Sequence, residues 1–284
     1  MIAGVMKSGS TSVYHYLKQH PEIYMSSEKE PDFFNYNYEK GEGWYLSHFK
    51  NVKNEKAIGE ASVRMFNMYE ALKMLKKFNP EIKLIFVFRN PVERLYSNYM
   101  YDLSKGIIRP YENFSKIIRD KSWRWYNGYV DLGYYYKHCS YIEKLFPKEN
   151  ILYTLQDDLK TDPHTYCKRI FKFLNVDDSY EIDFNLEHNI TVYPNNLNSL
   201  ESAFRFWDPM RNIMNKSKLK FILDNTLQIR GKLKRMLFYN GDDKLQISEE
   251  DNEYLTDLYS DSIDKLQLKI NRDLSHWKRK SNVS

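Results

Sequence analysis

The opening stretch, MIAGVMKSGSTSVYHYLKQHP, constrains the fold more than any other part of the chain. Residues 2–5 form an apolar run short enough for a buried strand. A turn rich in Ser, Gly and Thr follows, and residues 10–20 have helical spacing up to Pro21. A strand–turn–helix unit aims backbone N–H groups and a helix N-terminus at one point, which makes an anion site. Gly4 and Gly9 have the spacing of a phosphate-binding loop, a motif that places Lys and then Ser or Thr after its second glycine. Here Ser10 and Thr11 follow Gly9 directly, and Lys7 sits inside the loop. The hydroxyls of Ser8, Ser10, Thr11 and Ser12 add hydrogen-bond donors. The plainer alternative is a polar turn in which Ser10 caps the helix.

Further elements alternate along the chain. EIYM (22–25) reads as a short strand, EKAIGEAS (55–62) as a strand entering a loop, and residues 65–78 as a helix. KLIFVF (83–88) is a continuous apolar run, as a strand covered on both faces requires. NPVERLYSNYMYDL then starts a helix, with Asn90 as N-cap and Pro91 at its first position. A helix over 133–146, a strand over 150–155 and a helix from Asp162-Pro163 to about Leu174 complete the pattern. Strands alternating with helices predict an α/β fold, with a central parallel sheet and helices on both faces. The region from about 197 to 284 reads as mainly helical and polar, and no linker divides the chain. A single domain over 1–284 is therefore expected.

Composition narrows the function. The chain has 284 residues with 42% hydrophobic and 29% charged, ordinary for a globular protein, and its net charge of +5 is too small to argue for nucleic acid. Cys139 and Cys167 are the only cysteines and give neither a disulfide framework nor a zinc spacing. No run reaches the length of a membrane span and no signal peptide precedes the first strand, so a cytoplasmic, reduced protein is expected.

A nucleoside-triphosphate enzyme needs Mg²⁺, usually held by an acid at the end of a neighbouring strand. The strand over 83–88 ends in Arg89-Asn90, with no Asp. Phosphate is thus expected to meet arginine, with no metal. Arg89 at the strand end and Ser97 two turns into the next helix can grip a second phosphate apart from the first loop. Two phosphate sites without magnesium suggest a nucleotide phosphorylated at two places.

The pair KSGSTS and FVFRNPVERLYSNYMYDLSKG resembles the two cofactor loops of the sulfotransferases that use 3′-phosphoadenylyl sulfate, and the nearest likeness is to the heparan sulfate and related carbohydrate enzymes. SEKEPDFFNYNYEKGEGWYLSHF, GYYYKHCSYIEKLFPKENILYTLQDDL (with Gly133, Tyr135 and His138), HNITVYPNN and NRDLSHW resemble further segments of that family, in order. The resemblance implies a P-loop-NTPase-like three-layer fold. It implies that Lys7, Ser8, Gly9, Ser10, Thr11 and Ser12 hold the 5′-phosphosulfate, and that Arg89 and Ser97 hold the 3′-phosphate. Tyr193 belongs to the loop that closes over the cofactor. The product would be adenosine 3′,5′-bisphosphate. Glu30 is implied as the base that takes the acceptor proton, and Lys7 is placed to meet charge developing on the leaving phosphate oxygen. Relatives often carry Lys after the acid of GEASVRMF. Here Ala61 follows Glu60, so either Arg64 supplies the cation or the site is less basic, and Glu60, a second acidic candidate, is either an orienting group or a strand-end acid paired with a neighbour. After Pro194 the chain has Asn195 and Asn196, where many bacterial relatives have Arg.

Two stretches remain open to more than one reading. KSWRWYNGY (121–129) suits either a lid that stacks on sugar rings or a helix end packed on the core. Residues 215–238, with seven basic residues and one acid, suit a membrane surface, an acidic glycan or a solvated helix pair. The expected activity is transfer of a sulfuryl group to a hydroxyl or amine of a glycan, glycolipid or small hydroxylated molecule. The alternatives are a P-loop-type kinase and a non-catalytic nucleotide- or glycan-binding module on the same fold.

Overall fold

The structure, a computed structural model, describes residues 1–109, 112–185, 193–194, 238–239 and 247–278. In chain order the elements are β1 (Ile2–Gly4), α1 (Ser10–Gln19), β2 (Ile23–Met25), α2 (Phe33–Tyr36), α3 (Gly41–Ser47), β3 (Ala57–Gly59), α4 (Tyr69–Phe78), β4 (Leu84–Phe88) and α5 (Pro91–Lys105). There follow α6 (Phe114–Ile117), α7 (Tyr126–Tyr129), α8 (Tyr135–Leu145), β5 (Ile151–Leu155), α9 (Gln156–Thr161), α10 (Pro163–Leu174), β6 (Tyr193–Pro194), β7 (Phe238–Tyr239) and α11 (Glu249–Ile270). The chain groups into two compact units. The first comprises Met1–Leu95, Val130–Asn189 and Thr256–Ser284; the second comprises Tyr96–Tyr129 and Ile190–Leu255.

The first unit is built on a parallel sheet. β4 lies between β1 and β5, in parallel register with both: Ile2 faces Ile85, and Leu84 through Phe88 face Ile151 through Leu155. β2 and β3 pair in parallel, and a single parallel bridge from Ile2 to Ala61 joins them to β1. The resulting order is β2-β3-β1-β4-β5. All five residues of β4 are buried, which explains the unbroken apolar run. On one face Ile85 and Val87 join a cluster with Val13 and Leu17 of α1 and Ile170 and Phe171 of α10. On the other face Phe88 stacks on Tyr135 of α8 at 4.8 Å and on Tyr153 at 5.4 Å, while Phe66 packs on Phe86 and Phe88 at 5.3 and 5.6 Å. Helix, sheet and helix form three layers, as the alternation predicts.

Local signals explain the starts of α5 and α10. Asn90 Oδ1 accepts from the Val92 N–H at 2.9 Å, with Pro91 opening α5. Asp162 Oδ1 accepts from Thr165 N–H at 3.0 Å, with Pro163 opening α10. The helix read over 65–78 begins only at Tyr69, because Val63–Asn67 is a 3₁₀ turn that turns Phe66 inward under β4. Gly4 leaves room for it: a Cβ there would stand 2.8 Å from the Phe66 Cβ. Cys139 and Cys167 are buried free thiols on α8 and α10.

In the second unit, Tyr96 and Tyr99 pack on Phe114 at 5.1 and 5.0 Å, and Asp251 accepts from Ser115 Oγ and Arg119 Nη1, each at 2.5 Å. Trp123 packs on Tyr129 at 5.0 Å, and the Tyr129 hydroxyl donates to Asp102. Tyr129 is buried. β6 pairs antiparallel with β7, Tyr193 opposite Tyr239. Residues 215–237 of the basic stretch and Asn195 and Asn196 lie outside the described residues. No described helix is long and apolar enough to cross a membrane.

Because Phe88 is fully buried between three aromatic rings, Phe88→Ala leaves a cavity and should lower unfolding free energy by about 3–5 kcal/mol. Leu268→Ala, at a side chain 80% exposed, should change it by less than about 0.5 kcal/mol. Urea unfolding followed by circular dichroism measures both.

Candidate active site

In a parallel sheet the C-terminal strand ends gather loops along one edge. β1 leads there into the loop 5–9, β4 into Arg89, and β3 into Glu60 and Ala61. In the first loop Lys7 and Gly9 both take the left-handed conformation, with φ of 69° and 94°. A lysine pays for that geometry in steric strain, and such outliers gather at functional loops. Gly9 holds the N-cap position without any side-chain cap, so Ser10 starts the helix and does not cap it. The first turn of α1 contains no acid. Its N–H groups have no partner inside the helix, and the helix dipole favours an anion there. Ser8 is buried, and its Oγ has no hydrogen-bond partner among the described residues. A buried hydroxyl without a partner is costly unless something else meets it. Ser10 is buried, and Thr11 and Ser12 are half-buried in the same turn.

Arg89 is brought to this loop. Its Nη1 donates to the Lys7 carbonyl at 3.4 Å, and the Tyr135 hydroxyl donates to the Arg89 carbonyl at 2.9 Å. Nε and Nη2 donate to Glu93 Oε2 at 3.1 and 3.0 Å. Glu93 lies one turn into α5 and is 54% exposed, so an incoming anion can displace it. Ser97 is buried farther along α5, in the second unit. Tyr193 also belongs to the second unit, where its backbone pairs in β6.

Glu30 stands at the start of a second turn on the same edge. Its N–H donates to the Ala61 carbonyl at 3.0 Å, and its φ is 58°. Lys29 Nζ pairs with its Oε1. Beyond Pro31, Asp32 is also left-handed, with φ of 50°. A short relay fixes this turn from below. The Asp32 N–H donates to Ser62 Oγ at 3.1 Å, Ser62 Oγ donates to Glu60 Oε2 at 2.6 Å, and the Tyr45 hydroxyl donates to Glu60 Oε1 at 3.3 Å. Tyr45 is itself stacked on Phe33 at 4.7 Å. Burial pushes the Glu60 carboxyl up to about 7, against the pull of the Ser62 hydrogen bond. Burial also raises the Asp32 carboxyl, and the nearby Glu30 charge adds to this while Asn35 and Arg64 oppose it. Arg64 Nη1 pairs with Asp32 Oδ2 at 3.2 Å and lies over the Tyr36 ring at 5.6 Å.

Sequence reasoning had no role for Ser62, Tyr45 or Asp32. Only the adjacency of Ser62 to Glu60 signalled the relay.

A model of the sulfotransferase domain matches residues 1–222. The chain belongs to the sulfotransferase domain family. Over 183 residues it is 30% identical to human heparan sulfate glucosamine 3-O-sulfotransferase 6, covering 62% of this chain and 52% of that protein. Over 106 residues it is 38% identical to the membrane-associated sulfotransferase kil1 of Dictyostelium discoideum, covering 36% of this chain and 22% of that one. The chain thus spans about half the length, or less, of these curated relatives. A crystal structure of a sulfotransferase from Alicyclobacillus acidocaldarius superposes with a TM-score of 0.71 over 98% of this chain and 97% of that one. At 21% identity, that likeness shows a shared fold. The resemblance read from KSGSTS and FVFRNPVERLYSNYMYDLSKG is to the family found.

Glu60 has a folded pKa near 7 against an ordinary value of 4.5, so the native state holds its proton more tightly than the unfolded state. Its contribution to stability is complete below pH 4.5 and is lost as pH rises through 7. Glu60→Gln should abolish this loss. The stability difference between the variant and the parent should change across that window by a few kcal/mol, since each tenfold gain in proton affinity is worth about 1.4 kcal/mol. Urea titrations at several pH values read it directly.

Proposed function

We propose that this sulfotransferase-family chain moves a sulfuryl group from 3′-phosphoadenylyl sulfate to a hydroxyl or amine of a carbohydrate or glycoconjugate. One observation carries the cofactor assignment: the loop after β1 joins Lys7, a buried Ser8 hydroxyl with no partner among the described residues, and an acid-free helix N-terminus. These are the groups a phosphosulfate requires, so the residues fit it. When bound, this donor supplies SO₃: its bond to the 5′-phosphate oxygen breaks as the acceptor–sulfur bond forms, and the electron pair stays on adenosine 3′,5′-bisphosphate.

The chain's own groups then divide the work. Loop N–H groups from Gly9 to Ser12, with the Ser8 hydroxyl, hold the 5′-phosphate. Lys7 faces the charge that grows on its leaving oxygen. Arg89 turns from Glu93 to a 3′-phosphate. Glu30 takes the acceptor proton, and its bond from the Glu30 N–H to Ala61 holds it at the sheet edge. Glu60 is the orienting group, because it is fully buried and reaches the turn only through Ser62. The names of the relatives support a carbohydrate acceptor.

Calorimetry without added magnesium should show adenosine 3′,5′-bisphosphate binding far more tightly than AMP. Equal affinities would remove the 3′-phosphate role of Arg89. Lys7→Ala should depress turnover more than it weakens binding of the product nucleotide, because its partner charge develops in the transition state. Glu30→Gln should lose on the order of 10²-fold or more in transfer while binding the nucleotide normally. Wild-type transfer by Glu30→Gln, with an inactive Glu60→Gln, would move the base to Glu60.

A further inference from the structure

The sequence segment that carries Glu30 is acidic. From residue 28 to residue 44 the chain carries five carboxylates and two lysines, and Arg64 adds one cation from the neighbouring segment. The balance stays negative with Arg64 counted. Each of these cations has an acid or a ring against it. Lys29 pairs with Glu30, Arg64 pairs with Asp32 at 3.2 Å, and Lys40 lies 4.3 Å over the Trp44 ring. Asp32 is 6% exposed and fixed by its N–H to Ser62 and by Asn35 Nδ2 at 3.0 Å, so it cannot swing away from Arg64. The Glu30 charge acts on the Asp32 carboxyl. Beside them Tyr36, 55% exposed, offers the open part of its ring to solvent. Tyr38 is exposed as well and is backed by Phe33 at 5.1 Å.

We propose that the acceptor presented to Glu30 is an uncharged or amine-bearing sugar, and that Asp32, by neutralising Arg64 beside Tyr36, sets this preference. The proposal rests on the assignment of Glu30 as base and deepens it. An acceptor dense in sulfate or carboxylate would have to separate Arg64 from Asp32 and then sit against two carboxylates. Like charges at such distances discriminate strongly between partners. An uncharged sugar meets neither penalty. It can lay its apolar face on Tyr36 and give hydroxyl protons to the carboxylates. An ammonium group gains from the same acids.

The test uses the whole chain, so that the basic stretch 215–238 takes part. Adenosine 3′,5′-bisphosphate is first titrated alone. Failure to bind counts against the nucleotide assignment and leaves the acceptor question to the bare protein. Three forms of one oligosaccharide backbone are then titrated by calorimetry: fully N-acetylated and uncharged, bearing free amines, and bearing sulfate and carboxylate. The uncharged or amine form should bind at least about tenfold more tightly than the anionic form, a factor equivalent to about 1.4 kcal/mol. Asp32→Asn frees the Arg64 charge and should narrow that ratio by about tenfold. Arg64→Gln removes the cation instead and should widen the ratio, which keeps the test open if Asp32→Asn does not fold. Tighter or equal binding of the anionic form, binding of none of the three, or a ratio unmoved by whichever of these variants fold overturns the proposal.

Discussion

The two-residue junction Glu60-Ala61 is the constraint on which the rest of the first unit depends. The Glu60 carbonyl accepts from Ile2 N–H at 2.8 Å, which attaches β1 to the β2–β3 pair. The next carbonyl, of Ala61, accepts from Glu30 N–H at 3.0 Å, which attaches the acidic turn. The Glu60 side chain points inward and holds Ser62, which holds Asp32. One extended segment therefore ties the strand that feeds the phosphate loop to the turn that carries the proposed base. Burying a carboxylate to do this is costly, and the two hydroxyl donors from Ser62 and Tyr45 offset part of that cost.

The parts legible in the sequence are those set by local chemistry. KLIFVF shows its burial on two faces without ambiguity, and Asn90-Pro91 and Asp162-Pro163 show helix starts because their caps act within three residues. The loop around Lys7 was legible for the same reason: glycine spacing, a hydroxyl cluster and a following helix all lie within a dozen residues. What was not legible depends on pairings distant in sequence. Nothing within Ser62 or Tyr45 announces a role. Their role comes from Asp32 and Glu60, which the sheet and α3 bring to them. The start of α4 was misplaced for a related reason. Phe66 fits a helical period, but its packing on Phe86 and Phe88 holds Val63–Asn67 in a tighter 3₁₀ turn.

Charge pairing gives the site a common character. Lys29 has Glu30, Arg64 has Asp32 and Arg89 has Glu93 as a near neighbour. Each of these three cations is thus already paired with a carboxylate. A phosphate arriving at Arg89 replaces Glu93 and not water alone. The gain is the difference between two charge-assisted contacts, which is smaller than either. A monophosphate reaching Arg89 alone would exchange one anion for another with little gain. On the proposed assignment, a nucleotide that spans Arg89 and the α1 N-terminus gains the loop's donors as well, and its gain at Arg89 is what remains after Glu93 is displaced.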